Sequence, residues 1–305
     1  MDAVVARTAT IASDKNTVSM RRRRLIVNIV LFIVLLAGAV VMMYPLFWMI
    51  FASFKSTEPG IINSIYTSFL PKKWTGEAYK YIFDPENIEL DTPLWRAFFN
   101  SVLCTVPVVV VQVFVSAMAA FAFAKLNFKG KNALFIVMLA TQMIPFTVVM
   151  IPQVYVFRTF GLLNGPIAVI IPKMFGAVMT VFFLRQFLYG IPDALTEAAR
   201  LDGASYTRTF ITVVLPLIMP ALATQMILSF IGNWNDFLGP LLYIQGEEWA
   251  TLPILINSFS SQNGSLRQLP IVMAASLVSM IPILVIFAAF QKKIVGSIVF
   301  SAVKG

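Results

Sequence analysis

Residues 191–204 form a short polar stretch between two long apolar ones, and they carry side chains suited to contact another protein. The stretch holds Glu197, followed at once by two alanines, and then Asp202 and Gly203. Small side chains let a second backbone approach closely, and a carboxylate accepts a charge-assisted hydrogen bond from a partner's arginine. The chemistry suggested here is recognition of a protein. The alternative is an amphipathic helix that lies in the membrane surface, and the residues alone leave both open.

The same stretch has the sequence signals of a short helix. Pro192 suits the first helical position, and Asp193 favours the positive end of the helix dipole. Gly203 can adopt the left-handed conformation that ends a helix. A spacing of three or four residues places one further set of side chains on a single helical face. This set is Leu195, Ala198, Ala199 and Asp202.

A second group of candidates consists of polar residues within or beside long apolar segments. Polar groups at membrane depth are costly, so they mark candidate functional positions. Amides and carboxylates suit sugar hydroxyls, which both donate and accept hydrogen bonds, and an indole can stack on a sugar face. The alternative is hydrogen bonding between helices, which uses the same residue types. Polar residues at this depth also include Gln112, Gln153 and Lys173. The candidates for a translocation path are Gln142, Gln225, Asn233, Trp234, Asn235 and Asp236.

Several kinds of chemistry are disfavoured by residues that the sequence lacks. It contains no histidine and a single cysteine, Cys104, which argues against imidazole acid–base catalysis, an internal disulfide and a thiolate metal cluster. No paired carboxylates, nucleophile with a base, or metal ligands are evident, so we expect no catalytic and no metal-binding residue. The phosphate-binding pattern G-x-x-x-x-G-K-[ST] is also missing, so ATP would be bound by a separate protein.

Long apolar segments must position these candidates. Of the 305 residues, 59% are hydrophobic and 12% are charged, whereas soluble domains carry about 25% charged residues. The net charge of +9 lies largely beside apolar stretches, which disfavours nucleic acid as a partner. A helix of about 20 apolar residues crosses a bilayer, so the sequence predicts an all-α, polytopic membrane protein. Its six predicted transmembrane helices cover about residues 25–54, 97–124, 134–157, 167–189, 210–242 and 271–290.

Lysine and arginine concentrate in the segments on the same side as the N-terminus, which predicts that both termini are cytoplasmic. Residues 1–24 then form a cytoplasmic N-terminal tail, of which residues 1–20 lack helical periodicity and are expected to be disordered. The six-span membrane domain covers residues 25–294, with a periplasmic loop at 55–95 and a cytoplasmic loop at 190–209. Residues 295–305 form a cytoplasmic C-terminal tail.

The polar stretch resembles the "EAA" signature of bacterial ATP-binding-cassette (ABC) importer permeases. The resemblance rests on Glu197-Ala198-Ala199, on Gly203 six residues after Glu197, and on Leu215-Pro216 ahead of Pro220. Further stretches are similar to the maltose/multiple-sugar group, and specifically to the shorter six-span member of its permease pair. These are Phe69-Leu70-Pro71, Asn100-Ser101, the alanine- and phenylalanine-rich run 119–124, Trp234-Asn235-Asp236-Phe237, and Ala302-Val303-Lys304-Gly305.

This resemblance implies a type I ABC importer fold in a bacterial inner membrane. In the family the EAA helix inserts into a cleft on the ATPase, which makes Glu197, Ala198, Ala199, Asp202 and Gly203 the expected coupling residues. The implied partners are a longer permease subunit, two ABC ATPase subunits, an extracytoplasmic solute-binding protein and a sugar. No cofactor is expected in this chain, since the ATPase binds ATP and Mg²⁺. Residues 301–305 are expected to reach between the ATPase subunits.

Two other functions remain as alternatives at this stage. An ABC importer permease for a solute other than a sugar would carry the same coupling signature. A self-sufficient secondary carrier commonly shows inverted internal repeats, and no convincing repeat is found here.

Overall fold

The computed structural model describes residues 2–56, 68–84, 92–175, 177–261 and 268–302, with side chains from Arg23 to Gln291 except those of Glu247 and Ser261. Most of these residues are helical, and none of them lies in a β-strand. An isolated backbone bridge joins Lys55 to Trp74. The all-α class predicted from the sequence is therefore confirmed.

Among the described residues, four helical segments are long and apolar enough to cross a membrane without a sharp bend. The first is part of helix α1 (Asp2–Ser53), and a short helix α2 (Glu77–Phe83) follows it outside the span. The next is α3 (Leu94–Lys125). A further span runs through α6 (Pro166–Met174) and α7 (Val178–Tyr189), and the last is in α14 (Leu269–Ala302). The candidate spans themselves are Arg23–Ser53, Leu94–Lys125, Pro166–Tyr189 and Leu269–Gln291.

Two more segments qualify as spans only when a bent pair of helices is counted as one, which gives the six that the sequence predicts. The first pair bends by 93° and the second by 81°. At the first bend Ile144 is extended, since a residue that precedes a proline disfavours the helical conformation. The second bend lies at Ile218, between Pro216 and Pro220. The first pair is α4 (Lys131–Ala140) and α5 (Phe146–Thr159), and the second joins α9 (Tyr206–Thr209), a π-helical turn (Phe210–Val214) and α10 (Leu215–Leu217) to α11 (Met219–Trp234).

Three shorter helices complete the described chain. Helix α8 (Asp193–Leu201) lies in the loop predicted to contact a partner. Helix α12 (Leu238–Tyr243) follows α11 after a break, so the predicted span 210–242 ends earlier than expected, at Trp234. Helix α13 (Leu252–Ser261) lies before α14.

At the N-terminus the structure differs from the sequence-based expectation, and the C-terminal tail lies partly outside the described residues. Residues 1–20 were expected to be disordered, but helix α1 begins at Asp2. Residues 2–20 contain neither proline nor glycine, and extending an existing helix is far easier than starting one. In the C-terminal tail α14 continues to Ala302, while residues 303–305 lie outside the described residues. The same is true of residues 57–67 and 85–91 in the predicted periplasmic loop.

Helix α3 lies at the centre of the bundle, where small side chains let other helices approach it. Ala117 and Ala120 are fully buried against α7 and the π-helical turn, as small residues at membrane helix contacts commonly are. Nearer the other end of α3, Ala97 packs in a cluster with Phe230 and Trp234 of α11. Helix α1 differs, because none of its most apolar stretch is buried by the described part of the chain. This apolar surface is suited to contact lipid or another membrane protein.

The close packing around Ala120 predicts a specific stability effect. Ala120→Leu would force extra volume between α3 and α7, and overpacking of this kind costs about 1–3 kcal/mol. We expect a lower midpoint of thermal unfolding for the purified chain in detergent. Ala39→Leu is the matched control, because Ala39 lies on the exposed part of α1. Equal midpoints for the two variants would contradict this account of the core.

Candidate functional site

Helix α8 is fixed at its beginning by the last residue of α3. The Lys125 ammonium donates a hydrogen bond to the carbonyl oxygen of Ile191 at 2.6 Å and lies 2.5 Å from a carboxylate oxygen of Asp193. The Lys125 side chain is only 4% exposed, whereas that of Asp193 is 72% exposed. A buried cation that bonds both partners holds the start of α8 against the end of α3.

The charge of Lys125 also affects the ionisation of Asp193. The hydrogen bond from Lys125 lowers the pKa of the Asp193 carboxyl, and the positive charges of Lys125 and Lys131 add to the effect. A carboxyl with a lowered pKa contributes stability above its unfolded-state pKa. This contribution is lost as the pH falls through the lowered folded-state value. The lowered pKa keeps the Asp193 carboxyl ionised at neutral pH, where it accepts the hydrogen bond from Lys125.

Helix α8 ends at Gly203 in the way the sequence predicts. Gly203 has a φ of +82°, in the left-handed region where a side chain is unfavourable. Its N–H donates to the carbonyl of Arg200, and the Ala204 N–H donates to that of Ala199, both at 3.0 Å. These two bonds define a Schellman motif. A Cβ atom at Gly203 would meet no atom of the described residues within 4 Å, so it is the backbone conformation that favours glycine here.

Arg200 joins the end of α8 to the next helix. Its guanidinium donates to the carbonyl of Ala204 at 3.2 Å and lies 3.9 Å from the ring centroid of Tyr206 in α9. Ser205 then caps α9 by accepting a hydrogen bond from the Arg208 N–H. The π-helical turn that follows buries Phe210 against Phe121 of α3, with ring centroids 5.5 Å apart. Helix α8 is thus connected to the bundle core at both ends.

No residue of α8 is buried in this chain. Glu197, Ala198, Asp202 and Gly203 are exposed, and Ala199 is partly exposed. Leu201 is 89% exposed, which is unusual for a large apolar side chain on a helix held at both ends. Leu201 is not among the coupling residues expected from the sequence, although it directly precedes Asp202 and Gly203, which are. The exposed surface of α8, from Leu195 to Gly203, is an apolar and acidic surface without a covering element in the described chain.

The polar residues at membrane depth form a second cluster, which joins helices at their breaks. Lys173 forms an ion pair with Asp236, which lies in the break after α11. The other carboxylate oxygen of Asp236 accepts a hydrogen bond from the Gly239 N–H at 3.3 Å. A Cβ atom at Gly239 would lie 2.5 Å from the Asp236 carboxylate, so a side chain at this position would displace the carboxylate from its present contacts.

Gln112 extends this cluster across three helices. Its amide donates to the Lys173 carbonyl at 3.0 Å and accepts from the Ser229 hydroxyl at 2.5 Å. The Asn233 amide in turn donates to the Ser229 carbonyl at 2.8 Å. Asp236 therefore joins two helical segments through its ion pair with Lys173, whereas the Asn233 amide bonds Ser229 of its own helix α11.

The remaining path candidates lie in different surroundings. The Trp234 side chain is 1% exposed, stacks on Phe230, and donates its indole N–H to the Ser279 carbonyl at 2.9 Å. The expectation that its ring faces a sugar is wrong in this structure. Gln225 is buried, and Gln142 is exposed at the bend between α4 and α5. Among the six candidates, Asn235 lines an open cleft.

Asn100 and Ser101 have a structural task that the sequence did not reveal. The Asn100 amide donates to the carbonyls of Glu248 and Ala250, each at 3.0 Å, and the Ser101 hydroxyl accepts from the Leu252 N–H at 2.8 Å. They hold the segment before α13 against α3.

No three His, Cys, Asp or Glu side chains of the described ranges are grouped closely enough to hold a metal ion.

Comparison with known proteins places both regions within the match to a single family model. Residues 112–299 match the family model described as "Binding-protein-dependent transport system inner membrane component". In a bacterial ABC transporter involved in the import of the acidic polysaccharide alginate, one solved chain has the same fold. The TM-score is 0.73 at 24% identity, and the match covers 88% of this chain and 96% of that one.

Several curated relatives are similar along most of their length. The arabinooligosaccharides transport system permease protein AraQ of Halalkalibacterium halodurans is 33% identical over 88% of this chain and 93% of its own. The diacetylchitobiose uptake system permease protein NgcG of Streptomyces coelicolor is 32% identical over 87% of this chain and 85% of its own. The sn-glycerol-3-phosphate transport system permease protein UgpE of Salmonella typhi is 36% identical over 68% and 74%.

These matches confirm the resemblance found in the sequence. The family model covers more than half of the chain and includes α8, the Gln112 cluster and most of α14. This chain belongs to the family of binding-protein-dependent transport system inner membrane components.

Proposed function

We propose that the chain is a membrane-spanning subunit of a bacterial ABC importer that passes a sugar through the cytoplasmic membrane. The observation that carries the proposal is α8: a helix held at both ends, none of whose residues is buried by the described chain. Such a helix suits a rigid contact through which another protein moves the bundle. Relatives named for arabinooligosaccharide and diacetylchitobiose transport support a sugar as the solute.

The partner at α8 is a separate ATPase, which binds ATP and Mg²⁺ in place of this chain. The Glu197 carboxylate offers a bond to a cation of the ATPase, and Ala198 and Ala199 permit close approach. Leu201 adds an apolar contact to the residues that the sequence suggested. Asp202 and Gly203 end the helix beside this surface. The coupling residues are thus Glu197, Ala198, Ala199, Leu201, Asp202 and Gly203.

The complete importer contains a longer permease subunit, two ATPase subunits and an extracytoplasmic solute-binding protein. The uncovered apolar surface of α1 is suited to lipid and to the second permease. Several cations lie on the same side of the bundle as α8, which supports a cytoplasmic position for α8 and for both termini. They are Lys125, Lys131, Arg185, Arg200 and Arg208.

An importer for a different small solute is the second candidate. The relative UgpE is named for sn-glycerol 3-phosphate transport and is 36% identical over 68% of this chain. The exposed α8 would serve the same coupling role there, so only the cargo separates the two candidates.

The proposal predicts uptake that depends on the ATPase and on Glu197. In proteoliposomes that contain both permeases, the ATPase and the binding protein, ATP should drive uptake of a radiolabelled neutral oligosaccharide. Glu197→Lys should abolish it, because a cation would then face the cationic partner. Glu197→Gln, which keeps the shape, should retain part of the rate. Uptake that persists without the ATPase would instead indicate a secondary carrier.

The left-handed backbone of Gly203 allows a test with a matched control. Gly203→Val places a branched side chain at a φ that costs about 1–3 kcal/mol, so we expect loss of uptake with normal membrane insertion. Gly161 also has a left-handed φ, of +67°, but it lies between α5 and α6, away from α8. Gly161→Val therefore introduces similar strain elsewhere and should retain far more uptake. Equal losses in both variants would indicate general misfolding and not impaired coupling.

The exposure of Leu201 predicts a binding effect without a folding effect. Leu201→Ser should leave the thermal midpoint of the isolated chain unchanged, since the side chain is 89% exposed. It should reduce the amount of ATPase that co-purifies with the permease pair. Leu70→Ser is the control, because Leu70 is also exposed but lies in the loop on the opposite side. Undiminished co-purification of Leu201→Ser would remove Leu201 from the contact.

A further inference from the structure

A cleft of about 480 Å³ lies between the end of α11, helix α13 and the first half of α14. Its volume falls in the range of about 300–1,000 Å³ that is usual for small-molecule sites. It is separate from the cluster around Gln112, whose polar groups bond to one another. The polar residues that line it are Asn235, Asn257, Ser260, Ser276 and Ser279.

The position of this polar lining argues against contact with lipid. Ser276 and Ser279 belong to α14, which is otherwise among the most apolar helices of the chain. From Leu269 to Ser279 the helix rises by about 15 Å, or about half of a 30 Å hydrocarbon core. Polar side chains at that depth commonly line a water-filled cavity or contact other protein groups. The cleft therefore extends from one membrane surface towards the middle of the bilayer.

The chemistry of the lining suits an uncharged sugar. Asparagine and serine side chains donate and accept hydrogen bonds, as sugar hydroxyls do, and Phe237 adds an aromatic ring. Among the described residues that line the cleft, none is charged. A phosphate or a uronate would lose its hydration there without gaining a cation, which is costly.

We propose that this cleft is a contact site for an uncharged oligosaccharide on its route through the membrane. The inference rests on the proposed importer function and narrows its solute class. It also gives the shorter permease subunit a direct part in sugar recognition. Asn235, which the sequence selected as a path candidate, belongs to this site, whereas its neighbours Trp234 and Asp236 do not.

Cysteine labelling in the assembled importer tests the proposal. Cys104 is the only cysteine, so Cys104→Ala gives a background into which Ser276→Cys or Asn257→Cys is introduced. Leu284→Cys, at an exposed position of the same helix, is the control. Each complex is treated with a positively charged, water-soluble methanethiosulfonate reagent. Labelling is measured with and without arabinotriose, diacetylchitobiose or sn-glycerol 3-phosphate, and ATP-driven uptake of each compound is measured on the parental complex.

We expect both cleft cysteines to be labelled and the Leu284→Cys control to stay unlabelled in lipid. A neutral sugar that the importer carries, at about ten times its Kd, should slow cleft labelling by about tenfold through occupancy. sn-Glycerol 3-phosphate should give no protection. Two variants on different helices guard against a single substitution that distorts the site.

Three results would overturn the inference. Labelling that no transported neutral sugar slows would show a watery cleft that binds nothing. Cysteines that react in the isolated chain but not in the importer would show that the second permease fills the cleft. Protection by sn-glycerol 3-phosphate would contradict the solute class. An absence of ATP-driven uptake in the parental complex would instead contradict the proposed function itself, and the inference with it.

Discussion

Backbone groups inside a bilayer find no water to bond, so each N–H and C=O must be satisfied by the protein. Within the helices the backbone groups bond one another. At the breaks between helices, side chains bond backbone groups instead. Near the break after α6, the Gln112 amide bonds the Lys173 carbonyl. In the break after α11, the Asp236 carboxylate accepts the Gly239 N–H. Much of the polar chemistry at membrane depth therefore maintains the irregular backbone.

Helix α8, at the surface of the bundle, is held at both of its ends by hydrogen bonds and side-chain contacts. Lys125 bonds the chain just before this helix, and a Schellman motif with the Arg200–Tyr206 contact closes its end. Because direct contacts hold both ends of α8, a displacement of this helix would be transmitted to α3 at one end and to the π-helical turn at the other. Phe210 of that turn packs on Phe121 of α3, so both routes converge on the central helix.

Features set by neighbouring residues could be predicted from the sequence, and those set by distant contacts could not. The spans, helix α8 and the stop at Gly203 follow from local periodicity and backbone preference. The prolines near residues 145 and 218 were visible, but bends of 93° and 81° depend on how the flanking helices pack. Trp234 was misjudged because its indole partner, the Ser279 carbonyl, lies 45 positions further along the chain. The exposure of Leu201 likewise depends on the absence of a covering helix in the described fold.

Asn233 and Asn235 show why residue type alone does not separate a structural amide from a candidate contact site. Each donates its side-chain amide to the carbonyl four residues earlier, at 2.8 Å and 2.9 Å. Their local bonding is therefore the same. They differ in what surrounds them: Asn233 also approaches the Ser229 hydroxyl that bonds Gln112, while Asn235 borders the cleft shared with α13 and α14. A turn of about 200° between positions i and i+2 of a helix directs the two amides to opposite environments. Function at this depth is thus determined by the helical face and its neighbours.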